Sequence, residues 1–347
     1  MKSDNFSRRN FLKTSAITSG LAAVSPLGLA DTLPVQDAVA RKLPREVWVT
    51  SVSMSGLRAE TPGIMVDEIV RVLNDHVPHY QPDIICLPET FATSHLPKST
   101  PWAQKLGICE KVLQQFSNLA KQSGCYLICP VYTSEGGKIY NSAVIFDRGG
   151  NKIGAYRKIY LTDYEIESGL TPGPLTPPVF QTDFGKIGIQ ICFDIEWKAG
   201  WEKLREQGAE IVFWPSAFTG GQLVNTKAWE NKYVVVSSPW YNPSKICDIS
   251  GTVISDTGMW DKNLVCAPVN LEKVLIHRYP FNRHFDKIRE KYGRKVRITT
   301  FFEEDWSVIE SLSPEVFVAD ILKEFNIPTH EQYIRGSEAV QIKARKG

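Results

Sequence analysis

The chain has 347 residues, 43% hydrophobic and 22% charged, which is the composition of an ordinary globular protein with a sizeable core. Residues 1–30 hold four basic residues against one acidic residue, a net +3, so the formal charge of +2 leaves −1 for the rest. This near-neutral body excludes a basic surface for nucleic acid. Its seven cysteines are too sparse for a disulfide scaffold.

The N-terminus has the features of a targeting segment. Residues 7–13 read SRRNFLK, and a modestly apolar stretch from Thr14 to Ala30 follows them. This pattern resembles a twin-arginine (Tat) export signal, which implies the Tat translocase as a partner and a periplasmic or otherwise exported protein. The stretch is too short and too polar for a stable membrane span. We therefore assign residues 1–30 to the signal, with cleavage there or as late as residue 40.

Strand patterns alternate with helical patterns over residues 46–280. The predicted strands are Glu46–Met54, Asp83–Leu87, Cys125–Tyr132, Tyr140–Phe146, Lys152–Tyr156, Lys186–Cys192, Glu210–Trp214 and Tyr233–Ser237. The predicted helices are Gly63–Val77, Ile108–Ser123 and Lys198–Gly208, with a further helix end at Ala228–Asn231. We expect Ser250–Ser255 and Asn263–Asn270 to form a closing hairpin. The alternation predicts a layered α/β domain with mixed sheets.

Residues 281–347 differ in pattern and are interpreted as a C-terminal extension. Asn282–Tyr292 and Pro314–Phe325 are predicted helices, the second with Ser313 as N-cap and Pro314 at the first helical position. The last residues, through Lys346, are expected to be mobile.

Three residues with reactive side chains follow strand-like runs. Glu89 follows one apolar run, Lys158 follows another, and Cys192 ends the run that begins at Lys186. In open α/β sheets, functional residues collect at the carboxyl ends of the strands. A carboxylate, an ammonium and a thiol placed there could act as base, oxyanion stabiliser and nucleophile. Each of these residue types, taken alone at such a position, more often has a structural role. The surrounding segments therefore decide whether the three form a functional site.

Those segments resemble the nitrilase, or carbon–nitrogen hydrolase, superfamily over residues 46–275. Residues 83–89 (DIICLPE), 156–161 (YRKIYL) and 185–194 (GKIGIQICFD) are similar to the family's glutamate, lysine and cysteine segments, in the family's order. The resemblance implies an αββα sandwich, with mixed sheets facing each other and helices outside. It also implies a four-layer homodimer or a higher homo-oligomer.

The resemblance further implies a Glu-Lys-Cys triad. Cys192 would be the nucleophile, Glu89 the general base and Lys158 the oxyanion stabiliser. A second, supporting glutamate follows the lysine in the family, and we assign it to Glu165, with Glu167 as the competitor. Phe193 and Trp197 are predicted to line the substrate pocket.

The predicted function is hydrolysis of a non-peptide C–N bond in a small amide, ureido or carbamoyl substrate, through a cysteine thioester. Cys192-Phe193-Asp194 differs from the Cys-Trp-Glu typical of nitrile-hydrolysing members, which favours amides by analogy. Nitrile hydrolysis, N-acyl transfer from the same thioester, and a non-catalytic binding protein remain alternatives. No cofactor and no metal are predicted, because His76 and His79 have no matching ligands nearby.

Overall fold

The computed structural model describes residues 43–57, 61–258 and 263–346. The predicted Tat signal of residues 1–30 lies outside these ranges. The first sheet has six strands, in the spatial order β12 (Leu264–Asn270), β1 (Glu46–Val52), β2 (Ile84–Cys86), β3 (Tyr126–Glu135), β4 (Lys138–Phe146) and β5 (Lys152–Arg157). Strands β1, β2 and β3 run parallel, and the remaining pairs are antiparallel.

The second sheet repeats this plan. Its order is β11 (Val253–Asp256), β10 (Lys245–Cys247), β9 (Val234–Pro239), β8 (Ile211–Ser216), β7 (Lys186–Ile189) and β6 (Phe180–Gln181). Strands β7, β8 and β9 are parallel, while the flanking pairs are antiparallel. Parallel strands need crossover helices, which explains the strand–helix alternation of the sequence.

The helices of this part are α1 (Pro62–Tyr80), α2 (Trp102–Ser123), α3 (Asp163–Glu167), α4 (Ala199–Glu206) and α5 (Gln222–Asn231). The two sheets pack face to face, with Val49 and Ile84 of the first against Ile187 and Phe213 of the second in one apolar cluster. Helices α1 and α2 cover the outer face of the first sheet, and α4 and α5 cover that of the second. The chain is therefore a mixed α/β sandwich with helices outside, as the sequence predicts.

Helix α1 continues past its predicted end at Val77, through Pro78, to Tyr80. It begins where the sequence indicates, since the Thr61 hydroxyl accepts the Ile64 N–H and proline occupies the first turn. Gln81 ends the helix in the left-handed conformation. His76 and His79 therefore lie on the helix rather than in a loop.

The predicted closing hairpin is wrong. Strand β11 pairs with β10 at the edge of the second sheet, whereas β12 pairs with β1 in the first sheet. The two strands thus close two different sheets. Alternation alone predicts a strand, and it carries no information about which distant strand is the partner.

The extension contributes two strands to a third sheet, which has the order β13 (Lys273–His277), β15 (Trp306–Ser311) and β14 (Val296–Phe301) and whose strand β13 precedes residue 281. Its helices are α6 (Phe285–Tyr292), α7 (Val318–Glu324) and α8 (His330–Lys346). The predicted helix start at Pro314 is wrong, because α7 begins at Val318, whose N–H donates to Glu272 Oε1 at 2.9 Å. The terminal residues expected to be mobile are helical to Lys346.

None of the helices in the described ranges combines the length and apolar character that crossing a membrane requires.

Candidate active site

Four of the predicted site residues approach one another where strands of both sheets end. Glu89 lies three residues beyond β2, Lys158 directly follows β5, and Cys192 follows β7. Glu165 is in the short helix α3 that comes after Lys158. Glu89, Lys158 and Glu165 are all buried, with Lys158 only 2% exposed. A lysine is almost never buried so deeply without compensation.

That compensation comes from two carboxylates. Lys158 Nζ lies 3.0 Å from Glu89 Oε1 and 2.8 Å from Glu165 Oε2. Glu167, the competing candidate, is exposed and is not part of this cluster. The Thr162 N–H donates to Glu165 Oε2 at 2.9 Å, and the Thr162 hydroxyl accepts from the Glu165 N–H, so a capping box at the start of α3 holds Glu165 in place.

Asn141, on β4, connects the two carboxylates. Its side-chain Nδ2 donates to Glu89 Oε1 at 2.8 Å and to Glu165 Oε1 at 2.9 Å. Its backbone carbonyl oxygen accepts the Lys158 backbone N–H at 2.8 Å. One side chain therefore sets the distance between both glutamates. An apolar residue here would remove one hydrogen bond from each of these carboxylate oxygens, which would keep the one from Lys158 Nζ.

The cluster favours the charged forms of its lysine and of Glu165. Burial alone would lower the pKa of Lys158, but the negative charges of Glu89 and Glu165, and that of the Cys192 thiolate when it forms, raise it above its ordinary value. Burial opposes ionisation of Glu165, yet Lys158 and the hydrogen bonds from Asn141 and Thr162 lower its pKa. A fixed positive charge is thereby maintained in a water-poor site, where its effect on a developing negative charge is large.

The thiol of Cys192 is kept protonated in the resting structure. Burial and then the negative charge of Glu89 raise its pKa to about 12, while Lys158 acts in the opposite direction. Glu89 Oε2 is buried and has no hydrogen-bond partner within the described part of the chain. A proton passed from the thiol to this oxygen would leave the total charge of the cluster unchanged. Activation then needs only an internal proton transfer.

Cys192 lies in a tight turn rather than at the end of a strand. Strand β7 stops at Ile189, and Cys192 begins a 3-10 turn with φ of +47°. A side chain other than glycine rarely adopts this left-handed conformation, and such strained residues concentrate at functional sites. The Cys192 carbonyl accepts a hydrogen bond from Trp214 Nε1 at 2.9 Å, which fixes the backbone of the turn to β8.

Asp194 fixes the same turn. Its carboxylate accepts the Ile191 N–H at 2.8 Å, the Tyr160 N–H at 2.7 Å and the Tyr156 hydroxyl at 2.6 Å. Burial raises the pKa of Asp194 to about 6, although these hydrogen bonds favour the carboxylate. The tyrosines flank Lys158 in the sequence. Asp194 therefore ties the lysine segment to the cysteine turn.

The predicted pocket residues Phe193 and Trp197 pack together beside this turn. Their rings meet edge to face at 4.9 Å, and Trp197 stacks on Tyr160 at 4.1 Å between centroids. Both are partly exposed, so they can contact a ligand next to Cys192. Contact with substrate stays a prediction.

The sequence interpretation gave no role to Asn141, Asp194 or Trp240. Trp240 Nε1 donates to the Glu89 carbonyl, and it thereby holds the backbone next to the glutamate. Asn141 is a polar residue inside an apolar strand, which is a signal for a buried partner. In the described ranges, no group of three or more His, Cys, Asp or Glu residues is arranged to hold a metal ion.

Comparison with known proteins shows the family and the fold to which the chain is similar. The family model described as carbon-nitrogen hydrolase matches residues 52–276. Deaminated glutathione amidase of Mus musculus is 37% identical over 134 residues, which cover 34% of this chain and 41% of the relative. Omega-amidase NIT2 of Xenopus tropicalis is 29% identical over 216 residues, which cover 54% of this chain and 77% of the relative. This chain thus spans less than half the length of the mouse relative.

Among solved structures, the carbon-nitrogen hydrolase from Helicobacter pylori G27 superposes with a TM-score of 0.57 at 18% identity, covering 72% of this chain and 94% of that one. The shared fold, together with the match over residues 52–276, defines the class of protein. The chain belongs to the carbon–nitrogen hydrolase family of the nitrilase superfamily.

Proposed function

We propose that the protein hydrolyses a non-peptide C–N bond in a small amide-type substrate, through a thioester on Cys192. The observation that carries this proposal is the buried Lys158 ammonium, held between Glu89 and Glu165 at the strand ends that also deliver Cys192. The amidase names of the relatives from mouse and frog support an amide rather than a nitrile.

The proposed steps balance within the cluster. Glu89 takes the thiol proton, and Sγ forms a bond with the carbonyl carbon while Lys158 and the Phe193 N–H stabilise the oxyanion. The C–N bond then breaks, and the leaving amine receives the proton from Glu89. Water attacks the thioester and loses a proton to Glu89, the C–S bond breaks, Glu89 returns that proton to Sγ, and the carboxylic acid leaves. Glu165 keeps Lys158 charged and oriented throughout.

Ammonia release and intact mass test this proposal. With propionamide as substrate, we expect Cys192→Ala to abolish turnover and Glu89→Gln to lower kcat by about 10²- to 10⁴-fold. Glu165→Gln should reduce kcat, whereas the matched control Glu167→Gln on the exposed side of α3 should not. Full turnover by Cys192→Ala would disprove the mechanism.

Other outcomes would point to the alternative functions. Acyl transfer to an added amine without free acid would indicate an acyltransferase, and hydrolysis of propionitrile in place of propionamide would indicate a nitrilase. A folded protein that binds amides without an acyl adduct on Cys192 would indicate a binding protein.

We also propose Tat-dependent export and a homodimeric or larger assembly. The export proposal rests on the arginine pair and the apolar stretch that follows it, and the assembly proposal rests on the family resemblance. We expect Arg8→Lys with Arg9→Lys to hold the full chain in the cytoplasmic fraction, while Lys2→Gln does not. Equal export of all variants would contradict the Tat assignment. Sedimentation of the purified chain as a monomer would contradict the assembly.

A further inference from the structure

A second cavity lies between the sandwich and the C-terminal extension. Its volume is about 680 Å³, within the range of small-molecule sites. Residues of α4 and α5 form one side, and residues of β13, β15 and α8 form the other. None of Glu89, Lys158, Glu165 and Cys192 lines it. The cavity is therefore separate from the cluster that carries the proposed function.

Two positive charges in this cavity lack the counter-ions that their neighbours have. Other lining cations are paired: Lys198 with Glu230, Lys273 with Asp248 and Arg335 with Glu331. By contrast, no carboxylate of the described residues lies within ion-pair distance of Arg205 or Lys232, and Arg205 Nε is buried without a hydrogen-bond partner.

Arg205 and Lys232 are also close enough to affect each other. Burial and then the positive charge of Arg205 lower the pKa of Lys232 to about 7. Lys232 Nζ lies 3.5 Å from the centre of the Trp306 ring and donates to the Trp229 carbonyl. Two like charges that line one cavity, with no carboxylate of the described residues within ion-pair distance of either, repel each other, and a bound anion would relieve that repulsion.

Asn231, which also lines the cavity, carries a buried oxygen without a hydrogen bond from the described residues. Asn231 is 3% exposed, and its Nδ2 donates to the Lys227 carbonyl, but its Oδ1 has no partner in the described part of the chain. A buried amide oxygen without a hydrogen bond costs about 1–3 kcal/mol. A ligand that carries a hydroxyl or N–H group could satisfy it.

The walls favour an organic anion of low charge. Trp229 and Trp306 stack at 4.8 Å between centroids, and His330 meets Trp306 at 4.6 Å. Glu202, Glu230 and Glu331 also line the cavity and oppose a highly charged ligand such as a polyphosphate. We propose that this cavity binds a small organic carboxylate, held by Arg205 and Lys232, with its donor group on Asn231 Oδ1.

Calorimetric titration of the Cys192→Ala chain with 4-hydroxybenzoate tests the proposal, because this probe combines a carboxylate, a planar ring and a hydroxyl donor. We expect a Kd below about 1 mM. Arg205→Gln and Lys232→Gln should each weaken binding at least about tenfold. The matched control Lys198→Gln removes a lining charge that is already paired, and it should change Kd less than about twofold.

Affinity should also fall between about pH 6 and about pH 8.5, because binding favours the protonated form of Lys232. The charged groups that act on Lys232 are Arg205 and Glu230, and the pKa of His330, lowered to about 4 mainly by burial, leaves that neighbour neutral over this range. Near-ultraviolet circular dichroism establishes that each variant is folded.

Four results would overturn the proposal. The first is no binding at about 10 mM probe. The second is equal binding by all folded variants. The third is equal binding of the uncharged 4-hydroxybenzyl alcohol, and the fourth is binding of inorganic phosphate alone. Because the titration uses a chain without the Cys192 thiol, its result does not depend on the proposed hydrolysis.

Discussion

At the scale of single residues, Asp194 connects two parts of the site that lie far apart in the sequence. It accepts hydrogen bonds from residues on either side of Lys158 and from Ile191, just before Cys192. A shift of one segment relative to the other would break at least one of these bonds. We therefore infer that Asp194 is a positioning residue, which sets the geometry of Lys158 and Cys192 without touching the substrate.

We predict that Asp194→Asn lowers kcat by about tenfold or more with little change in KM, because an amide N–H₂ would face one of the two backbone N–H groups. The same clash should cost about 1–3 kcal/mol of unfolding free energy. Steady-state kinetics and urea denaturation measure both effects. The control is Asp163→Asn in the exposed first turn of α3. An unchanged kcat in Asp194→Asn would contradict the positioning role.

The pKa of Asp194 gives this prediction a pH dependence. Since burial raises that pKa to about 6, the folded protein binds the proton more tightly than the unfolded chain does. The contribution of this group to stability is full below about pH 4 and is lost as the pH rises through about 6. Asp194→Asn should remove this contribution to the slope of the unfolding free energy against pH. Denaturation at several pH values would detect the change.

The sequence predicts a site of Glu89, Lys158 and Cys192 because each follows an apolar run inside a segment that resembles the nitrilase superfamily, and the carboxyl ends of strands point to a common edge. The turn at Cys192 could not be predicted. A run such as residues 187–191 predicts a strand through to the cysteine. In the observed turn the Cys192 carbonyl accepts from the remote Trp214, and the neighbouring Asp194 carboxylate accepts the Ile191 N–H. Asn141 was missed because its partners come from two other segments.

At the scale of elements, the loop after α3 packs directly on the segment that carries Lys158. The Gly173 N–H donates to the Lys158 carbonyl at 2.8 Å, and a Cβ at Gly173 would collide with the carbonyl of Arg157. Backbone atoms cannot yield as a flexible side chain does. The glycine therefore permits the close approach of two backbones next to the lysine.

We predict that Gly173→Ala displaces the end of β5, lowers kcat and costs about 1–3 kcal/mol of stability through steric strain. Activity assays and thermal denaturation measure the two effects. The control is Gly107→Ala on the exposed side of α2, where an added Cβ meets nothing within 4 Å and should stabilise the helix by about 0.5–1 kcal/mol. Equal behaviour of the two variants would refute the proposed close packing.

Element boundaries followed from the sequence where local chemistry decides them. The Thr61 cap of α1 is local, whereas α7 begins at Val318 because Glu272, from another segment, caps it. Ser313 and Pro314 offered a plausible local start that this distant carboxylate overrides. The early start of α2 at Trp102 was missed, although Pro101 precedes it at the N-cap.

At the scale of the whole molecule, one buried carboxylate joins the three sheets. Glu310 on β15 accepts from Asn270 Nδ2 of β12 at 3.0 Å and lies 3.5 Å from Lys273 Nζ of β13. Lys273 in turn lies 3.1 Å from Asp248, in the loop between β10 and β11. Arg297 completes the group from β14.

We predict that Glu310→Ala destabilises the folded protein by about 3–5 kcal/mol, because it leaves the buried Lys273 with half of its counter-charge and removes one of the two hydrogen bonds that Asn270 Nδ2 donates. Urea denaturation measures the loss. Arg297→Gln, a change to the more exposed partner of the same carboxylate, should cost less than about 1 kcal/mol. If both variants lose the same small amount of unfolding free energy, the three sheets are held together by apolar packing instead.

The pairing of β1 with β12 has a consequence for synthesis on the ribosome. Glu46 pairs with Asn270, so β1 cannot complete its pairing before β12 has been synthesised. Strand β12 is translated after Glu89, Lys158 and Cys192. A nascent chain that already contains the thiol and its neighbours still lacks one edge of the sheet that aligns them. Catalytic activity should therefore appear in a single late step, when residues 264–270 leave the exit tunnel. It should not increase gradually with the length of the nascent chain.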